Sequence, residues 1–125
     1  FPEEIAKRKQ VYERYRERLT GVTGLKLPPQ QANVTPNYAY FPVVFLDAYG
    51  ETRDEAAERL QARGYFPRKY FYPCTNAFPF LGQRYTLEST PIAAAVSRRV
   101  LTLPLYADLE LADVDEICRI LRREV

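Results

Sequence analysis

At 125 residues, with 46% apolar and 27% charged side chains and a net charge of +2, the chain is long enough for one hydrophobic core and too short for two. It contains no histidine, which excludes histidine-activated nucleophiles, histidine acid–base relays and histidine-ligated metals. No apolar run reaches membrane-spanning length, and no secretory signal pattern occurs.

Residues 2–20 read as an amphipathic helix. Pro2 suits a first turn, and Glu3 and Glu4 match the positive helix end. Ile5, Tyr12, Tyr15 and Leu19, flanked by Val11, recur at helical spacing, and Glu4 and Arg8 form an i,i+4 pair. Gly21 and Gly24 end the helix. "LKLPP" reads as a short extended piece and "QQANVTPN" as a polar connection. Tyr38 to Leu46, "YAYFPVVFL", is aromatic and β-branched and predicts a strand, with Pro42 pointing to an edge position or a bulge.

Thr52 and Glu55 frame a capping box for a helix whose inner face is Ala56, Ala57 and Leu60, and Gly64 closes it. Residues 65–72 predict a second strand, and Pro73 to Glu88 an irregular stretch. Thr90-Pro91 opens a helix expected to turn Ile92, Ala95 and Val96 inward. "VLTLPLY" is a third strand, and Val114, Ile117, Cys118 and Leu121 are the i, i+3, i+4, i+7 stripe of a last helix. Arg122 and Arg123 suit its negative end. Residues 1–125 therefore read as a single α/β or α+β two-layer domain. The chain lacks methionine and begins inside a helix-like pattern, so it reads as a piece of a longer protein.

The stretch "RGYFPRKYFYPCTNAFPF", residues 63–80, combines rings, prolines and cations without a carboxylate. Between Glu58 and Glu88 no acid occurs, while Arg59, Arg63, Arg68, Lys69 and Arg84 all do. Buried rings with solvated cations would give the same composition. A proline-stiffened strip with cations beside tyrosine hydroxyls also suits a phosphate-bearing ligand. Cys74 has no base near it in sequence and reads as an inert thiol, and Cys118 as core. Two such thiols, without metal-type or CxxC spacing, fit a reducing cytoplasm. Asp113, Asp115 and Glu116 match a helix N-terminus better than a metal site, and "AKRKQ" reads as a solvated helix face. The residues alone leave two alternatives open. One is a non-enzymatic α/β module stacking RNA bases on Tyr70, Phe71 and Tyr72, although "KYFYP" lacks the small residues of an RNA-recognition motif. The other is a protein-interaction domain whose rings form an interface.

Taken together, "NYAYFPVVF", "RLQARGYFPRKYFYP", "TPIAAAVSRRVLTLPLYADL" and "DVDEICRIL" resemble the C-terminal part of the DegT/DnrJ/StrS family of pyridoxal-phosphate-dependent sugar aminotransferases. The most specific element is R-x-Y-F-x-P at Arg68, Tyr70, Phe71 and Pro73, followed by Val100 to Tyr106 and Asp113 to Ile117. The resemblance implies the small C-terminal domain of a fold-type I aminotransferase, with a mostly antiparallel sheet under helices. It implies that the large cofactor-binding domain lies outside this chain. The family moves an amino group, usually from glutamate, to a keto sugar linked to a nucleotide diphosphate, in cell-surface polysaccharide or natural-product sugar synthesis. "YFYP" followed by "TN" looks most like the branch acting on thymidine-diphosphate 4-keto-6-deoxy sugars. The cofactor is held as a Schiff base on a lysine of the large domain. None of Lys7, Lys9, Lys26 and Lys69 lies in that motif, so the fragment alone is expected to be inactive. By the same resemblance Arg68, Lys69, Tyr70, Tyr72 and Asn76 are the expected substrate-binding residues, with no catalytic, cofactor or metal residue in this chain. Many members carry histidine at the place of Asn76, a departure that bears on which sugar is taken. The full-length enzyme is expected to be a cytoplasmic homodimer without nucleic-acid or membrane partners.

Overall fold

The computed structural model describes residues 2–30, 32, 34–69 and 91–123. Helix α1 spans Pro2–Leu19 and buries Val11, Tyr15 and Leu19, leaving Ile5 and Tyr12 half-buried. Its i,i+4 ion pair is Lys9–Glu13 at 3.9 Å; Glu4–Arg8 is not among the ion pairs of the described residues. Strand β1 is Leu25–Lys26, β2 is Phe41–Phe45 and β3 is Val100–Leu103, paired antiparallel in the order β1-β2-β3. Helix α2 covers Arg53–Ala62, α3 covers Pro91–Arg99 and α4 covers Leu111–Leu121. Among the described residues no helix is long and apolar enough to cross a membrane.

The core lies between one face of the sheet and three helices. Phe41, Val43, Phe45, Leu101 and Leu103 supply the sheet side. Facing them are Val11, Tyr15 and Leu19 of α1, Ala56, Ala57 and Leu60 of α2, and Val114, Ile117, Cys118 and Leu121 of α4. This is the expected two-layer arrangement. Tyr15 stacks on Phe41 with ring centroids 5.1 Å apart and donates its hydroxyl to Pro104 O at 2.6 Å. Burial raises the Tyr15 phenol far above its ordinary value, so it stays a donor. Burial likewise pushes the Cys118 thiol up to about 12, as expected of an inert core cysteine. Cys74 lies outside the described residues.

Both ends of α2 follow the sequence. Thr52 Oγ1 accepts the Glu55 N–H at 3.1 Å, the N-cap half of the expected box. At the other end Gly64 takes φ +89°, Gly64 N–H reaches Gln61 O, and Tyr65 N–H reaches Leu60 O, both at 3.0 Å. That is a Schellman closure, and it needs a residue tolerant of positive φ.

Two expectations are corrected. Pro42 lies in the central strand rather than at an edge, opposite Thr102. The Thr102 N–H and C=O are both engaged with Arg68, at 2.8 and 3.0 Å, so they point away from β2. The Pro42 backbone therefore faces the β1 side, where pairing covers only Val44 and Phe45. The ladder never asks for the missing N–H, and the proline is tolerated. The second correction concerns α3. Ile92 is 80% exposed, Val96 is 40% exposed and Ala95 is exposed, whereas Ala94 and Ser97 are buried. The helix runs into β3 without a linker, so the strand sets its rotation. Small Ala94 and Ser97 form the face that packs inward.

Candidate functional site

Pairing rules put Arg68 on a particular surface. Arg68 bridges Thr102, and Thr102 opposes Pro42, so these three residues share one face of the sheet. It is the face opposite the core, because the neighbours Phe41, Val43, Leu101 and Leu103 are the buried ones. Tyr40, Phe66, Pro104 and Tyr106 have the same parity and line the same cleft as Arg68 and Thr102, a space of about 350 Å³ completed by Ala39, Leu103 and Leu105. Tyr40, Phe66 and Tyr106 are 59%, 70% and 55% exposed. Such rings at the rim of a cleft with a guanidinium can pack on a flat ligand while the cation meets its charge.

Lys69 turns the other way, as strand alternation requires. Its Nζ lies 3.0 Å from Asp54 Oδ1 in the first turn of α2. That hydrogen bond holds the Asp54 carboxyl below its usual range, with Arg53 assisting. Arg68 and Lys69 therefore stand on opposite sides of the chain, and of residues 65–69, predicted as strand, only Arg68 pairs with β3. Tyr70, Tyr72 and Asn76 lie outside the described residues, as do the later half of the second predicted strand and the stretch to Thr90.

Two other cations of the acid-free segment, Arg59 and Arg63, also meet carboxylates, while Arg84 lies outside the described residues. Arg59 pairs with Glu51 at 2.9 Å and also donates to the Tyr49 hydroxyl at 2.9 Å. Arg63 meets Glu116 at 3.3 Å. Local charge of a segment thus overstates the positive surface it presents. The α4 acids serve as tertiary partners: Asp115 binds Arg14 and Arg18, Glu116 binds Arg63 as well as Arg119 of its own helix, and Asp113 accepts from the Tyr65 hydroxyl. Among the described residues no group of acids or cysteines is arranged to hold a metal.

All four lysines of this chain are exposed. Lys7 pairs with Asp108, Lys9 with Glu13 and Lys69 with Asp54, while Lys26 is exposed on β1. None of them lines the clefts beside Arg53, Arg68 or Tyr38.

Sequence reasoning selected Arg68 but passed over Tyr40, Phe66, Thr102 and Tyr106. A signal was there: these residues occupy positions of one parity in three strand-like segments, which pairing brings onto one surface. Register was the missing information.

The family model for the DegT/DnrJ/EryC1/StrS aminotransferase family matches residues 1–122. An Escherichia coli protein named dTDP-4-amino-4,6-dideoxy-D-glucose transaminase is 36% identical over 119 residues, which make up 94% of this chain and 32% of that protein. A Saccharopolyspora spinosa protein named dTDP-4-dehydro-2,3,6-trideoxy-D-glucose 4-aminotransferase is 31% identical over 116 residues, 91% of this chain and 28% of that protein. Among solved structures, DesI in the presence of its TDP-sugar product superposes with a TM-score of 0.87 at 30% identity, covering 98% of this chain and 31% of DesI. The chain spans about a third of the length of the curated relatives it matches.

Proposed function

Because the chain belongs to the DegT/DnrJ/EryC1/StrS aminotransferase family, we propose that the complete protein transfers an amino group from glutamate to a keto sugar carried on thymidine diphosphate. This chain contributes the substrate-side wall of the site. Pyridoxal phosphate, which supplies the electron sink for such a transfer, is held by residues outside this chain. The working enzyme is a cytoplasmic homodimer that needs neither nucleic acid nor membrane, serving the synthesis of surface-polysaccharide or natural-product sugars.

The observation that carries this reading is Arg68 set among Tyr40, Phe66 and Tyr106 on the sheet face away from the core, in a chain whose relatives are named as transaminases of dTDP-linked sugars. A diphosphate asks for a planar, permanently charged donor, and Arg68 is one. A pyrimidine base or sugar ring asks for flat apolar surface, and the three tyrosine and phenylalanine rings offer it. Tyr70, Tyr72 and Asn76 follow Arg68 in sequence and belong to the proposed contact set, whereas Lys69 stands behind it against Asp54.

The test uses the complete protein with glutamate and a thymidine-diphosphate 4-keto-6-deoxy sugar. It should yield 2-oxoglutarate and an amino-sugar nucleotide in equal amounts, read by mass spectrometry. Equal turnover of the same sugar without its nucleotide would contradict the role given to the cleft.

A further inference from the structure

Among the described residues Arg68 forms a single bridge to Thr102 of β3, through two backbone hydrogen bonds. So short a ladder does little to fix its own register or the direction of its side chains. The first turn of α2 adds a side-chain tie to this bridge. Asp54 Oδ1 accepts from Lys69 Nζ at 3.0 Å, next in sequence to one half of the bridge. The same oxygen accepts from Arg53 Nε at 2.8 Å. Arg53, only 3% exposed, also donates Nη1 to Ser97 O at 2.9 Å and to Val100 O at 3.0 Å. Val100 stands two residues before Thr102, the other half of the bridge. The contacts close a ring: Asp54 to Lys69, along the chain to Arg68, across to Thr102, back to Val100, and through Arg53 to Asp54.

The geometry points to Asp54 as a positioning residue that, through Lys69 and Arg53, fixes where Arg68 enters the cleft. The inference rests on the reading that the cleft takes a nucleoside diphosphate. It also gives Lys69 a different part from Arg68: Lys69 orients, and Arg68 faces the ligand. A carboxylate in a first helical turn would help α2 through the helix dipole in any case. That effect alone would leave the bridge and the cleft unchanged.

The test compares Asp54→Asn, Lys69→Met and the double variant in the complete protein. Deuterium exchange is read on peptides carrying the Arg68 and Thr102 amides, thymidine diphosphate binding by calorimetry, and the glutamate half-reaction by absorbance. Each single variant should speed exchange at the bridge and weaken thymidine diphosphate about two- to fivefold, the reach of a partly exposed ion pair. The glutamate half-reaction should keep its rate, and the double variant should be no worse than the weaker single one. Unchanged bridge exchange in Asp54→Asn overturns the proposal. So do additive losses in the double variant, which would mean that Lys69 meets the ligand itself. If the unmodified protein fails to bind thymidine diphosphate, the reading of the cleft falls, and the exchange measurement still decides the role of Asp54.

Discussion

Asp115 is the residue most tightly tied to charge in the described structure. Arg14 donates Nε and Nη2 to its two oxygens at 2.7 and 2.8 Å, and Arg18 Nε adds a contact at 3.1 Å. The hydrogen bond from Arg14 is the main reason its carboxyl titrates below the usual range, and Asp54 is lowered in the same way by Lys69. A carboxyl with a depressed folded pKa binds its proton more readily in the unfolded chain. Its contribution is therefore complete above the unfolded value, near pH 4, and is lost as pH falls through the folded value. Asp115→Asn should flatten the acid side of the stability curve below about pH 4 while keeping its shape near neutrality, measured by denaturant titration at several pH values. Gly24 is constrained by space as well as torsion. Its φ is +83°, and a Cβ there would lie 2.1 Å from Tyr49 N. Gly24→Ala should therefore cost more than about 1 kcal/mol, seen as a lower denaturation midpoint with an unchanged slope.

At the scale of elements, helices with local signals were legible in the sequence. The stripe Val114, Ile117, Cys118 and Leu121 is the buried face of α4, and α2 begins and ends where Thr52 and Gly64 require. Thr52→Ala should cost on the order of 1 kcal/mol, because the Glu55 N–H loses its acceptor at an exposed helix end. An unmoved midpoint in chemical denaturation would mean the cap contributes nothing. Where tertiary context decides, the sequence was not enough. The apolar residues of α3 do form one face, yet Ala94 and Ser97 are the ones packed, because β3 continues directly from the helix and dictates its rotation. Pro42 marks a place without ladder pairing on its backbone side, which an edge strand and the unpaired end of a central strand provide equally well. The cleft was legible only in part. Arg68 stood out by its company of rings, but Tyr40 and Tyr106 lie 28 and 38 residues away in sequence and reach it through register alone.

Among the described residues, helices cover one face of the sheet and the Arg68 cleft lies on its other face, so the chemistry depends on what meets that cleft in the complete protein. The core closes on one side through α1, α2 and α4. On the other, Arg68, Tyr40, Phe66 and Tyr106 border a cleft in a chain that spans about a third of its transaminase relatives. We infer that Arg68 binds the anionic end of a nucleotide sugar. Arg68→Gln in the complete enzyme, with the two half-reactions measured separately, tests it most directly. A charged hydrogen bond to phosphate is typically worth about 1.5–3 kcal/mol, so the sugar half-reaction should lose roughly ten- to a hundredfold in apparent affinity. The glutamate half-reaction should keep its rate. Equal slowing of both half-reactions would make Arg68 structural, and no change in either would contradict the account.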